Sequence, residues 1–172
     1  MSDLAGAVGD NRRAVESFGA TCRRVPEAAW LRPMAPGKWS PARVAEHVAL
    51  SFELSTRALA GTFPRTRAPW FLRPLIRRFF LTPVLRNGRF GKGVRAPGVF
   101  QPGAPPATPE AGAGRIEAMS RIFEAALETE ARAGHDSVNH PFFGPVALVD
   151  YLRLQTIHTN HHHRQLPGAG TP

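Results

Sequence analysis

Near its carboxyl end the chain reads HTNHHHRQL, His158 to Leu166. Four of these nine residues are histidine, in a chain that has seven. Neutral imidazole is a good ligand for zinc, nickel, copper or iron, and it changes charge near neutral pH. The run therefore offers a metal site or a pH-sensitive surface. It is interrupted and more sequence follows it, so it does not read as a purification tag. What decides between the two is how the rings are held.

His158 and His162 are four apart, so a helix stacks them on one face, one turn above the other. One helix presents two imidazoles to a single metal by this spacing. His161 shares part of that face, and His163 is turned about 100° from His162, which predicts exposure. Tyr151, Leu154, Gln155, His158, His162 and Gln165 form one continuous face. Its early members are apolar or amphipathic, so the histidine pair is expected to point inward. An unpaired polar group inside costs about 1–3 kcal/mol, and two adjacent buried imidazoles do not both charge. A bound cation removes both problems. The third candidate ligand is His47, in the apolar segment VAEHVAL. A lone histidine there is more often a hydrogen-bonded core residue, but beside an i, i+4 pair it becomes a ligand candidate. Tyr151, Gln155, Gln165 and His161 are candidates to support the ligands from behind. His135 and His140 flank a loop and read as surface or structural residues.

Four helical segments must position these residues. In the first, Leu4 to Val25, Val8, Val15, Phe18, Cys22 and Val25 recur at roughly helical spacing, with the firmest stretch from Asn11 to Arg24; Pro26 closes it. The second opens at Lys38-Trp39-Ser40-Pro41, with Ser40 as N-cap, Pro41 in the first turn and Trp39 placed to staple onto it, and ends near Gly61. The third starts at Thr108-Pro109-Glu110. Its stripe Ile116, Met119, Phe123, Leu127 predicts a buried face, with Glu117, Arg121, Glu124 and Glu128 opposite. Gly134 stops it. After the loop HDSVNHPFFG, the fourth is expected from Gly144-Pro145 to about Leu166. Strand signals are thin. The pattern predicts an all-α four-helix bundle in one domain, 1–172.

Between the second and third helices lies an insertion, about 62–108, of different composition. Residues 70–86 (WFLRPLIRRFFLTPVLR) mix apolar residues with arginines and carry Pro74 and Pro83, which predict short broken helices. Asn87 to Thr108 is dense in Gly and Pro and reads as a long surface excursion. From Leu54 to Pro109 there is no Asp or Glu and there are ten basic residues. The net charge of +9 therefore sits wholly in this segment. The plain reading is a solvated basic insertion. No helix-turn-helix or zinc-finger spacing supports nucleic-acid binding. Association with an anionic membrane through 70–80 is the alternative, with prolines set against it. No run of about 18 apolar residues predicts a transmembrane helix, and the first residues lack an apolar signal core. Cys22 is the one cysteine, so no internal disulfide forms, which suits a reducing cytoplasm. It reads as a helix-face residue rather than a reactive one.

Lys38-Trp39-Ser40-Pro41 followed by Glu46-His47 resembles the opening of the second helix in the DinB/YfiT-like superfamily. His140-Pro141-Phe142-Phe143-Gly144-Pro145 resembles the approach to that family's last helix. His158-x-x-His161-His162-x-x-Gln165-Leu166 resembles its ending. The resemblance implies an up-down-down-up four-helix bundle, often dimeric. It also implies a divalent metal, zinc or nickel foremost, held by His47, His158 and His162. One departure is His163-Arg164, where the family often has Arg-Gly; it leaves His161 and His163 as alternative metal partners. Relatives of this kind include transferases and isomerases that use a low-molecular-weight thiol, so the resemblance implies a thiol-dependent S-transferase, or else a hydrolase, acting on a small electrophilic substrate. The alternative is a stress-related bundle that binds metal or ligand without catalysis. The basic insertion could help to hold an anionic thiol or substrate.

Overall fold

The structure is a computed structural model that describes residues 2–64, 67–91 and 96–169. It is mostly helical, with one small sheet, consistent with a helical bundle. Four long helices make the frame: α1 (Ser2–Arg24), α3 (Pro41–Leu59), α6 (Pro109–Arg132) and α7 (Leu148–His163). A short helix α2 (Glu27–Trp30) follows α1. α1 packs on α6 and α7, and α3 packs on α6 and more lightly on α7. Phe18, Phe52, Phe123, Leu127, Tyr151 and Leu152 are buried at the centre. Cys22 is buried among them, and burial pushes its thiol up to about 12, so it is an inert core residue.

The expected starts of α3 and α6 follow from capping chemistry. Ser40 accepts from the Arg43 amide at 3.3 Å, with Pro41 in the first turn. Thr108 accepts from the Ala111 amide at 3.2 Å, with Pro109 following. Each cap satisfies an amide that the helix itself leaves unpaired.

Glu124 departs from its expected outward position. It is buried in the seam between α1 and α6, accepting from Asn11 Nδ2 at 2.8 Å and from Arg12 Nε at 2.9 Å. Its helical phase lies at the edge of the stripe, and the polar residues of α1 facing it turn that edge into an interior one.

The last helix also starts later than its sequence suggests. Gly144–Ala147 is a strand, β2, paired antiparallel with β1 (Ser137–His140), with Asn139 opposite Pro145. Gly144 has φ of 71°, a left-handed conformation that side-chain-bearing residues rarely take, and it turns the hairpin. Pro145 fits because a two-stranded sheet has only edge strands, where a missing N–H is tolerated. α7 then begins at Leu148, whose amide reaches the Asp136 carbonyl at 3.0 Å.

The insertion is more ordered than its composition predicts. α4 (Arg73–Ile76), a π-helical turn (Arg77–Leu81) and α5 (Thr82–Asn87) run on as one helical rod. Pro74 sits in the first turn, where a proline removes no helical bond. Pro83 would clash with a carbonyl four residues back in an ordinary helix. The π turn shifts the register there, and the Thr82 amide reaches Arg77 O, five residues back. Ile76, Phe80, Leu81, Val84 and Leu85 face the core, and Phe80 stacks on Phe143 with centroids 5.9 Å apart. Further on, Trp30 Nε1 donates to the Pro106 carbonyl at 2.8 Å, tying the end of the insertion to α2. No helix among the described residues is long and apolar enough to cross a membrane.

Candidate metal centre

The i, i+4 pair of α7 faces inward and meets the histidine of α3. His47 Nε2 and His162 Nε2 each lie 3.1 Å from His158 Nε2. One ligand atom from each of the three rings falls within 4.8 Å of the others. His47 and His162 are buried and His158 is partly so.

Which nitrogen carries the proton follows from the outer partners. His47 Nδ1 is 2.8 Å from the Phe100 carbonyl, which can only accept, so Nδ1 holds the hydrogen and Nε2 keeps its lone pair. His162 Nδ1 donates to Gln165 Oε1 at 2.9 Å, while the Gln165 amide nitrogen donates to His161 Nε2 at 3.0 Å. His158 Nδ1 is 3.2 Å from Ser51 Oγ. The Ser51 hydroxyl has acceptors for its own proton in Val48 O at 2.8 Å and Gln155 Oε1 at 3.0 Å, so its oxygen accepts from His158. Gln155 in turn donates to Ser55 Oγ at 2.7 Å, and the Tyr151 hydroxyl is bonded to Ser55. The four supporting residues expected from α7 and its end thus divide in role. Gln155 and Gln165 act on the ligand rings or one step behind them, Tyr151 lies at the far end of the chain, and His161 is bonded to Gln165.

Three neutral nitrogens then face one point with no hydrogen among them. Such lone pairs repel at 3.1 Å unless a cation lies between them. Two zinc–nitrogen bonds of about 2.0–2.1 Å at the tetrahedral angle place their nitrogens about 3.3 Å apart, close to the 3.1 Å that separates His158 from each of the other two; the His47–His162 pair lies within 4.8 Å. Charge points the same way. Burial pushes His47 and His158 below the usual imidazole range and His162 down to about 3, with neighbouring imidazoles adding to the effect on all three. All three are unprotonated at neutral pH, the form that binds metal. The donor set fits a first-row divalent ion.

Aromatic rings surround the cluster. Trp39 lies 5.0 Å from His47, centroid to centroid, and Phe90 lies 5.6 Å from His158 and 5.5 Å from His161. Sequence reasoning did not identify Phe90, Phe100 or Ser51. Phe90 and Phe100 lie in the stretch read as a surface excursion, and only their being aromatic among Gly and Pro marked them. Ser51, four residues after His47, shares its helical face and was findable by that spacing.

The other histidines stand apart from the three ligand nitrogens. His163 is half-buried rather than exposed, because α1 packs against its side of α7; its Nε2 is 2.8 Å from Thr21 Oγ1. His135 is exposed and pairs with Glu130 at 2.7 Å. His140 is buried and structural: its Nδ1 accepts from the Phe142 amide at 3.1 Å and its ring stacks on Phe143. Glu46, beside His47 in sequence, is held by Arg115 through contacts of 2.7 and 2.9 Å. Two surface clefts open elsewhere, one by Arg67, Arg73 and Ser137, the other by Asp10, Arg153 and Asn160.

The molecule is therefore a helical protein with a three-histidine cluster compatible with a metal site. Residues 17–168 match the family described as "Protein of unknown function (DUF1569)". The chain belongs to that family, whose fold is DinB-like. No curated protein and no solved structure matches it significantly.

Proposed function

We propose that the protein is a divalent-metal enzyme of the wider DinB/YfiT-like superfamily, its long helices running up-down-down-up and its chains paired as a homodimer in the cytoplasm. His47, His158 and His162 would hold the ion, zinc or nickel, through Nε2. Such a metal supplies Lewis acidity and lowers the pKa of a water or thiol in a remaining coordination position. Three protein ligands suit this, since closed structural zinc sites normally use four. The reaction class is thiol transfer to, or hydrolysis of, a small electrophilic substrate, with a low-molecular-weight thiol as co-substrate for transfer.

The observation that carries this reading is the convergence of three Nε2 lone pairs, each fixed by an acceptor on the opposite ring nitrogen. The chain's own residues then have separable tasks. Phe100, Ser51 and Gln165 keep each Nδ1 proton turned away from the centre. Trp39 and Phe90 form apolar walls that exclude water and pack against the carbon skeleton of a substrate. Metal analysis of untagged protein tests the site. We expect near one ion per chain, lost in His47→Ala and in His158→Ala. Thiol consumption with an added electrophile, by the metal-loaded protein only, then tests the reaction. Full metal content without turnover across thiols would leave a metal-binding bundle without catalysis.

A further inference from the structure

The metal centre leaves unexplained the outer side of the rod at 73–87 and the turn before it. Trp70 is 79% exposed and Phe79 72%, with Phe71, Leu72 and Leu75 also exposed. Leu72, Leu75 and Phe79 follow 3-4 spacing, so they form one stripe along the rod, and Trp70 and Phe71 extend it at the amino end. The inner side is fixed to the core through Phe80, Leu81 and Val84, so the stripe is held outward. Arg77, Arg78, Arg86 and Arg89 are exposed around it. Among the described residues, none of these four forms an ion pair with a carboxylate, although Arg77 Nη1 donates to the Pro145 carbonyl. The Arg78 guanidinium lies 5.9 Å over the Phe79 ring. No Asp or Glu occurs anywhere from residue 54 to 109 to balance them.

We propose that this face lies on an anionic lipid surface, with the rod in the interfacial plane. Exposed Trp, Phe and Leu enter the acyl boundary, and long arginine side chains reach back to the anionic headgroups. The prolines that seemed to oppose an amphipathic helix do not interrupt it, because Pro74 lies in the first turn and the π turn accommodates Pro83. Charge selects this occupant over a second copy of the chain. A two-fold contact places the same patch on itself, and unpaired arginines would then meet arginines.

The test uses the full-length protein with vesicles of phosphatidylcholine alone and of phosphatidylcholine mixed with phosphatidylglycerol. Co-sedimentation is expected with the mixed vesicles, falling as salt rises, and not with phosphatidylcholine alone. Trp70 emission shifts to the blue on binding, and Trp70→Phe abolishes the shift while binding persists. Trp70→Ser/Phe79→Ser weakens partitioning by at least about tenfold. Arg78→Ser/Arg86→Ser weakens it by about tenfold. These residues are exposed, so folding is retained, which circular dichroism checks. Equal binding to both vesicle types, no binding to either, or indifference to both double variants overturns the proposal. So does a concentration-dependent dimer that Trp70→Ser/Phe79→Ser abolishes, which assigns the face to a second copy.

Discussion

The hydroxyl of Ser51 and the imidazole of His158 meet at 3.2 Å, Oγ to Nδ1, across the interface of α3 and α7. This contact fixes the ring that lies between the other two. Ser51 is itself aimed by Val48 O and Gln155 Oε1. Without it the His158 ring is free to move its proton to Nε2, where it opposes a cation.

Ser51→Ala should therefore lower metal affinity by about 10- to 100-fold, the usual cost of losing a partner behind a ligand. Competition with a chromophoric chelator measures this. Helical content by circular dichroism should be unchanged, since one hydroxyl is lost and no ligand.

Acid should destabilise the metal-free protein in a defined window. Burial holds His140 and His162 down to about 3, whereas an unfolded histidine titrates near 6.5. Between these values the unfolded chain binds protons that the folded chain refuses. Stability is thus full above about pH 6.5 and falls as the pH drops toward about 3, by up to about 1.4 kcal/mol per pH unit for each such group. Urea midpoints of chelator-treated protein across this range check the sign. His140→Phe should flatten the slope by one group's share.

Glu124 offers a test of the seam between α1 and α6. Asn11 Nδ2 donates to Glu124 at 2.8 Å and to Ser120 Oγ at 2.9 Å, all in buried surroundings. Glu124→Ala leaves one buried amide hydrogen without an acceptor and should cost about 2–3 kcal/mol. Glu124→Gln keeps an oxygen for Asn11 and should cost clearly less. Urea unfolding separates the two.

Gly112 is required by a close approach. A Cβ placed there would stand 2.5 Å from Cζ2 of the buried Trp30. Gly112→Ala should cost about 1–3 kcal/mol through overpacking, despite alanine's better helix propensity. The melting temperature should fall, and the Trp30 bond to Pro106 O should weaken, which indole amide exchange reads.

These sites also show where the sequence was legible. Ser40-Pro41 and Thr108-Pro109 announced two helix starts because capping is local chemistry. The spacing of His158 and His162, with His47 on an apolar face, predicted the three rings that the fold brings together. What stayed hidden depended on distant partners. Glu124 turned inward because Asn11 and Arg12 of another helix face it. Pro145 resembled a helix start, yet its place is set by pairing with Asn139. Pro83 resembled a break, and only a register shift in the preceding turn makes it compatible. Phe90 and Phe100 lay in a Gly- and Pro-rich stretch where composition gives no phase, so nothing local indicated which side chains face inward.

Phe100 has two attachments. Its ring sits with Phe63 and Phe142, at 6.4 and 6.3 Å between centroids, and its carbonyl orients His47. The orienting atom belongs to the main chain, which every amino acid supplies. Exchange of the residue at 100 loosens an anchor but cannot delete the acceptor. A one-residue insertion or deletion between 96 and 106 would carry that oxygen out of reach. The position of that oxygen thus depends on the length of this stretch more than on which side chain stands at 100.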